Sequence, residues 1–433
     1  MPLLALLLFA ALPATAETLP LSMKQAVDLA LAPNGNSRLQ LAQEQIRQSS
    51  ARAAQSRAAL LPNVDASVTT QNFTRNIRAF GLALSFPGIP DVVGPVTAYD
   101  YRGTLTQTVF DFSAIKRLQA ARAGIDLAKA EEESTRNTVT DQVARAYLAL
   151  VRAEEAISAA KANVDLAASL QKLALSQKDA GTGTGIEVTR AQVQSANEEQ
   201  RLLSARQERD RAEIMLLRVI GLSMSVHIEP SDALAYTAPD SVTPEEAVKT
   251  ARETRADWQA QQRRETVSKL NQDAVKWERL PSLAGFADAG GIGVEALDPR
   301  FTRAVGVSLR LPIFDGGRRD ARRSESESLL RQEQIRGRDL MKQIEAEVRL
   351  ALDSLQSAEG QVKAAEQGLT LAGNELAQSR RRYEAGVGTS IEITDAQTRM
   401  VRARDNRIAA LFLHNLAKIE LANAMGVIHK VIQ

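Results

Sequence analysis

The run IEAEVRLALDSLQSAEGQVKAAEQGLTLAGNEL, from Ile344 to Leu376, decides the fold. In it Ile344, Val348, Ala351, Leu355, Ala358, Val362, Ala365, Leu369, Ala372 and Leu376 follow at alternating steps of four and three. The same stripe stands 205 residues earlier, as Val139, Val143, Ala146, Leu150, Ala153, Ile157, Ala160, Val164 and Ala167. A 4-3 spacing averages about 3.5 residues per turn, so each stripe keeps to one side only if the helices supercoil left-handedly around neighbours. Larger aliphatics alternate with alanine, which lets helix backbones approach closely. The chain is therefore read as a duplicated, coiled-coil-built protein.

The duplication extends past the heptads. Residues 180–192, AGTGTGIEVTRAQ, align with 385–397, AGVGTSIEITDAQ, and nine of the thirteen positions are identical. Ile220-Gly221 and Met425-Gly426 close the helices that follow. Leu61-Pro62 pairs with Leu280-Pro281, and Phe110-Asp111 with Phe314-Asp315. Ser22 and Thr243 are candidate N-caps of the opening helices. Each copy thus reads helix, two strands, very long helix, Gly turn, helix. The long helices are expected from Ser113 to Lys178 and from Arg318 to Tyr383, each about 100 Å at 1.5 Å per residue. The helices flanking them are about half that, so stacked end to end they match one long helix, as the wall of a hollow cylinder requires. The boundaries are 17–222 for the first repeat, 223–242 for a Pro-bearing linker, and 243–433 for the second repeat.

Four strands are expected between Pro62 and Phe110 and between Pro281 and Phe314. In the last, Val305, Val307, Leu309 and Leu311 alternate with Ala304, Gly306, Ser308 and Arg310. Tyr101, Leu105 and Val109 alternate less cleanly with Arg102, Thr104, Thr106 and Thr108. One apolar and one small or polar face over about ten residues suits a membrane-barrel strand with a wet lumen. A long loop is expected from Phe73 to Tyr99. Four strands cannot close a barrel, and open sheet edges are not tolerated in lipid. Several chains must then share one barrel.

Bulk composition narrows the function. Net charge is +2 in 433 residues, which argues against a nucleic-acid binder. There is no cysteine, which excludes disulfides, thiolate metal sites and a cysteine nucleophile. The three histidines, His227, His414 and His429, are isolated, so neither a metal site nor a cofactor is expected. No nucleophile–His–acid arrangement is recognisable, and no enzyme is read. Leu3 to Leu12 is apolar and Ala14-Thr15-Ala16 precedes Glu17, which fits a secretory signal over residues 1–16.

These features resemble the TolC-like outer-membrane efflux proteins. The likeness rests on the duplicated order of elements, the junctions Val109-Phe110-Asp111 and Ile313-Phe314-Asp315-Gly316-Gly317, and the two Gly-Thr turns followed by Glu-x-Thr. It implies a mainly α fold with a small β part. Long antiparallel coiled-coil helices would form an α-barrel tunnel through the periplasm, and four strands per chain a shared twelve-stranded β-barrel in a homotrimer. It further implies an exit duct in the outer-membrane lipid, serving tripartite efflux or type I secretion with a periplasmic adaptor and an inner-membrane pump. The tip turns, Gly181, Thr182, Gly183, Thr184 and Gly185 with Gly386, Val387, Gly388 and Thr389, would meet the adaptor. Glu392 and Asp395, three apart on one helix face, would ring the tunnel entrance. Arg380, Arg381 and Arg382 beside them are candidates for closed-state bridges. The rival class is an exported soluble coiled-coil scaffold, to which heptads and turns apply equally.

Overall fold

A computed structural model describes residues 18–76, 92–238 and 242–431. The expected signal segment and Pro239 of the linker lie outside these residues. Contacts divide the chain into two bodies, one of residues 1–44, 130–259 and 338–433, the other of residues 45–129 and 260–337.

In chain order the elements are β1 (Thr18–Leu21), α1 (Met23–Leu31), α2 (Ser37–Ala58), β2 (Asn63–Asn76), β3 (Val92–Phe110), α3 (Phe112–Asp179), α4 (Gly185–Ile220) and β4 (His227–Pro230). The second half continues with α5 (Pro244–Thr254), α6 (Ala256–Lys276), β5 (Ser282–Gly293), β6 (Arg300–Arg310), α7 (Arg318–Glu384), α8 (Ser390–Ala424) and α9 (Ile428–Val431). The long helices α3 and α7 hold 68 and 67 residues, within one residue of the expected ends.

Both heptad stripes point into the helical body. Val139, Val143, Leu150, Ile344 and Val348 are wholly buried, and Ala153, Ala160, Ala351, Ala358 and Ala372 lie buried between them. One core joins Val143, Tyr147 and Leu150 of α3 to Leu216, Leu217 and Ile220 of α4 and to Leu411 and Ile419 of α8. A second joins Ile344, Val348, Leu355 and Ala358 of α7 to Ala247 and Ala251 of α5 and to Ala417 and Leu421 of α8. Tyr147 donates its hydroxyl hydrogen to the Leu21 carbonyl at 2.9 Å, so its polar end is satisfied inside this core.

The opening helix of each repeat departs from the expected single rod. Both N-caps are present, with reciprocal side-chain bonds from Ser22 to Gln25 and from Thr243 to Glu246. Each helix then breaks, after Leu31 and after Thr254. Pro33 and Gly35 account for the first break. At the second, Arg255 turns to extended backbone while its guanidinium reaches Asp257 at 2.7 Å, Glu347 at 2.6 Å and the Ala424 carbonyl at 3.2 Å. Each break receives the glycine that ends a later helix. A Cβ on Gly221 would stand 2.6 Å from the Gly35 carbonyl, and one on Gly426 2.9 Å from the Arg255 amide. Both glycines also have positive φ. The stretch 223–242 holds β4, which pairs in parallel with β1 from Thr18↔His227 to Leu21↔Pro230.

In the other body the four membrane-type strands form one antiparallel sheet in the order β2-β3-β5-β6. Val64, Val68, Leu105, Val305, Val307 and Leu309 share one face, as the register Val64↔Leu105, Leu105↔Ala287 and Ala287↔Val305 requires. Arg102 occupies the opposite face, bound to Asp100, Asp288 and Thr302. The loop is shorter than the expected Phe73 to Tyr99. Pairing carries β2 to Asn76 and β3 back to Val92, and Pro95 sits where the register shifts between Phe73 and Arg75, so it removes no regular ladder bond. Residues 77–91 lie outside the described part. β6 stops at Arg310, short of Leu311, because Pro312 has no N–H to extend the ladder. Where strand meets helix, Phe112 packs edge-on against Phe110 at 4.4 Å and stacks on Trp277 at 5.5 Å. Among the described residues no helix is long and apolar enough to cross a membrane.

The buried alanines set the spacing of α7 against its neighbours. Replacing Ala358 by Leu is expected to overpack this seam at a cost of about 1 to 3 kcal/mol per chain. Thermal unfolding should show a lowered midpoint, whereas leucine at exposed Ala377 should leave it unchanged.

Candidate functional site: the paired helical tips

The two turns that end α3 and α7 are built bond for bond alike. In the first, the amides of Thr182 and Gly183 both donate to the Gln177 carbonyl at 2.9 Å, and Gly181 donates to Lys178 at 3.0 Å. In the second, Val387 and Gly388 donate to the Arg382 carbonyl at 3.0 Å, and Gly386 donates to Tyr383 at 3.1 Å. Gly181 and Gly386 have φ of 76° and 72°, a region that costs other residues about 1–2 kcal/mol. Gly183 and Gly388 are needed for space instead, since a Cβ on either would stand 3.0 Å from the helix end behind it. Gly185 has open space around it and a matching serine, Ser390, in the second copy.

The copies diverge in what their acidic residues do. Thr184 and Thr389 are the N-caps of α4 and α8. Glu187 reaches back to the Thr184 amide at 2.9 Å and closes its own cap. Glu392 leaves that position and faces Arg382 across the turn, with Nε and Oε2 3.5 Å apart. Asp395 binds Arg399 at 2.6 Å, and Arg399 also holds Glu375 of α7 at 2.7 Å. The two carboxylates therefore take separate arginines. Of the basic run, Arg380 pairs with Glu384 of its own helix at 2.9 Å, and Arg382 adds a bond to the Val387 carbonyl at 3.4 Å. Arg381 has no carboxylate partner among the described residues.

Contacts that no sequence pattern announced tie the tips together. Gln177 donates its side-chain amide to the Tyr383 carbonyl at 2.9 Å, and Arg190 reaches the Ser390 hydroxyl at 3.5 Å. Tyr383 is buried with Leu170 and Ile393, and burial, followed by the Glu187 charge, pushes its hydroxyl pKa up. A groove of about 640 Å³ runs between α4 and α8. Ile186, Arg190 and Val193 line one side, Ile391, Asp395 and Thr398 the other. The signal for it was available: Ile186 and Ile391 are 205 apart, both one residue into a helix that leaves a tip.

Residues 29–222 and 247–427 match the family of outer membrane efflux proteins, one segment for each copy of the duplication. The chain belongs to the outer membrane efflux protein family. It is 24% identical over 346 residues to outer membrane efflux protein BepC of Brucella suis biovar 1, covering 77% of this chain and 74% of that one. It is 25% identical over 319 residues to pyoverdine export outer membrane protein OpmQ of Pseudomonas aeruginosa, covering 72% of this chain and 66% of that one. Its fold is that of the Campylobacter jejuni CmeC outer membrane channel, with a TM-score of 0.80 at 16% identity over 94% of this chain and 86% of that one. An outer membrane efflux protein has its place in the outer membrane, and the apolar face of the β2-β3-β5-β6 sheet suits that solvent.

A glycine with positive φ and one with neither positive φ nor crowding give a direct test of the tip geometry. Gly386→Ala is expected to lower the thermal midpoint by an amount equivalent to about 1–2 kcal/mol. Gly185→Ala, at the first turn of α4 with φ outside the left-handed region, should leave it unchanged or raise it slightly. Equal losses at both positions would contradict the separate roles.

Proposed function

We propose that this protein is the passive exit duct of a tripartite efflux or type I secretion system. Three copies share one twelve-stranded barrel in the outer membrane and continue as a helical tunnel in the periplasm. An inner-membrane pump delivers the substrate, and a periplasmic adaptor engages the tips. The observation that carries this reading is the four-stranded sheet itself, apolar on one face and polar on the other, with no further strand on either outer edge among the described residues. An exported scaffold protein would have no reason to present Val64, Val68, Val305, Val307 and Leu309 to its surroundings on one face.

In this reading the chain is two repeats, 17–222 and 243–433, joined by 223–242. The tip turns from Gly181 to Gly185 and from Gly386 to Thr389 dock the adaptor. Glu392 and Asp395, repeated three times about the pore axis, form the constriction at the tunnel entrance. Arg382 and Arg399 neutralise them in the resting state, Arg380 is held by Glu384 of its own helix, and Arg381 is the member of the run left to bridge to a neighbouring helix in the closed state. Close carboxylates at an entrance of reduced dielectric attract cations and repel anions. The duct itself performs no catalysis and carries no cofactor, since a conduit requires only an unobstructed wet path.

Planar-bilayer recording tests the assignment. Wild-type protein should form a cation-preferring pore blocked by millimolar divalent cations. The double change Glu392→Gln with Asp395→Asn should weaken that block and reduce cation preference. Arg382→Ala should raise the resting conductance while leaving the divalent block in place. Unaltered block and preference in the double variant would remove these two carboxylates from the constriction.

A further inference from the structure

A single charge interrupts the apolar face of the sheet. Away from the register shift at Phe73 and Arg75, pairing sorts the charged residues of the strands onto two faces. Asp65, Asp100, Arg102, Asp288, Arg300 and Arg310 fall on the polar face, where Asp100 and Asp288 hold Arg102. Arg303 falls on the other, in line with Val305, Val307 and Leu309. Its row runs through Ala289, Gly103 and Ala66, so no acidic residue stands beside it. Arg303 is exposed and has no carboxylate partner among the described residues. Asp298, in the turn between β5 and β6, takes Arg300 instead, at 3.5 Å.

An arginine on a lipid-facing strand position is costly at the bilayer midplane and costs little at the interfaces. Its depth therefore decides what Arg303 can do. From Leu309 to Phe301, β6 covers about 20 Å of depth at a tilt of about 40°. Arg303 is one outward-facing position before Phe301 on that path, a step of about 5 Å. Tyr101 and Phe301 both pair with Gly291, so the two aromatics share the row next to Arg303. The Tyr101 hydroxyl donates to the Ala296 carbonyl of the β5–β6 turn at 3.1 Å. Aromatic rings with a polar tip mark a membrane–water interface. Helices α2, α3, α6 and α7 join the strands at their opposite ends. With those helices in the periplasm, the aromatic row belongs to the outer leaflet. An arginine one row deeper lifts its guanidinium to that boundary along its own apolar stem.

We propose that Arg303 binds the phosphate of an outer-leaflet lipid headgroup, beside Phe301 and Tyr101. An unpaired cation at the edge of the hydrocarbon is satisfied by an anion from the lipid side, where the headgroups lie. The guanidinium offers a planar fork of N–H donors that matches phosphate oxygens. Ala289 and Gly103 are too small to cover it. Phe301 and Val305, on either side along the strand, are 73% and 81% exposed and free to receive acyl chains. The inference rests on the outer-membrane placement above and adds a ligand to it.

Retained lipid tests the site. Full-length protein in a maltoside detergent, whose headgroup carries no phosphate, is incubated with diphosphorylated lipid A and weighed by native mass spectrometry. Wild type should retain the lipid, and Arg303→Gln should retain severalfold less. Arg303→Lys, which keeps the charge, should restore most of the retention, and Arg310→Gln on the polar face should match wild type. Arg303→Gln removes a charge from an apolar face, so oligomer mass and circular dichroism should stay as in wild type. Equal retention by wild type and Arg303→Gln, both with intact oligomer mass, would overturn the site and leave the membrane reading in place. A wild-type protein that stays in solution without detergent would overturn both. Lipid A stripped of its phosphates but retained equally would remove phosphate from the account. Displacement of the lipid by an equal concentration of inorganic phosphate would show a free-anion site and overturn the lipid assignment.

Discussion

Two strand edges with no neighbouring strand among the described residues govern this molecule. β2 and β6 present 14 and 11 residues of backbone along the borders of a four-stranded sheet. In water such edges are a hazard, and in hydrocarbon each unsatisfied N–H or C=O costs several kcal/mol. A handful of such groups outweighs the whole stability of an ordinary domain, about 5–15 kcal/mol. No side-chain arrangement within the chain removes that cost, because pairing needs another strand. The sheet therefore dictates assembly, and the helices that leave it must be compatible with a closed ring.

Duplication is how one chain meets that demand. The long helices repeat at an offset of 205 residues, the tip turns repeat hydrogen bond for hydrogen bond, and Gly221 and Gly426 each seat against the break in an opening helix. The repeats differ in the contacts made at two matching places. Glu187 caps its own helix, while Glu392 is turned toward Arg382. Asn163 accepts from Arg404, while Gly368 leaves a groove at the matching place. The same backbone plan thus carries different contacts in its two copies.

Most of the helical plan was legible in the sequence because it is local or strictly periodic. The 4-3 stripes located the buried faces of α3 and α7, and Ser22 and Thr243 marked helix starts through short-range capping. The break between α5 and α6 was not legible, since nothing in Thr254-Arg255-Ala256 stops a helix. It depends on Glu347 and the Ala424 carbonyl, 92 and 169 residues away. The break at Pro33 and Gly35 is local and is written in the residues themselves. The β1–β4 pair escaped because four-residue strands have no periodicity of their own and exist through each other. At the tips the turns followed from glycine spacing, whereas the arginine held by each carboxylate depends on how neighbouring helices align.

The central claim, that the sheet obliges the chain to close a ring with its own copies, is tested most directly by native mass measurement of the detergent-solubilised protein, with strand content followed by circular dichroism. Three chains with the strands intact is the predicted result. A stable single chain that keeps its strands in detergent would contradict it.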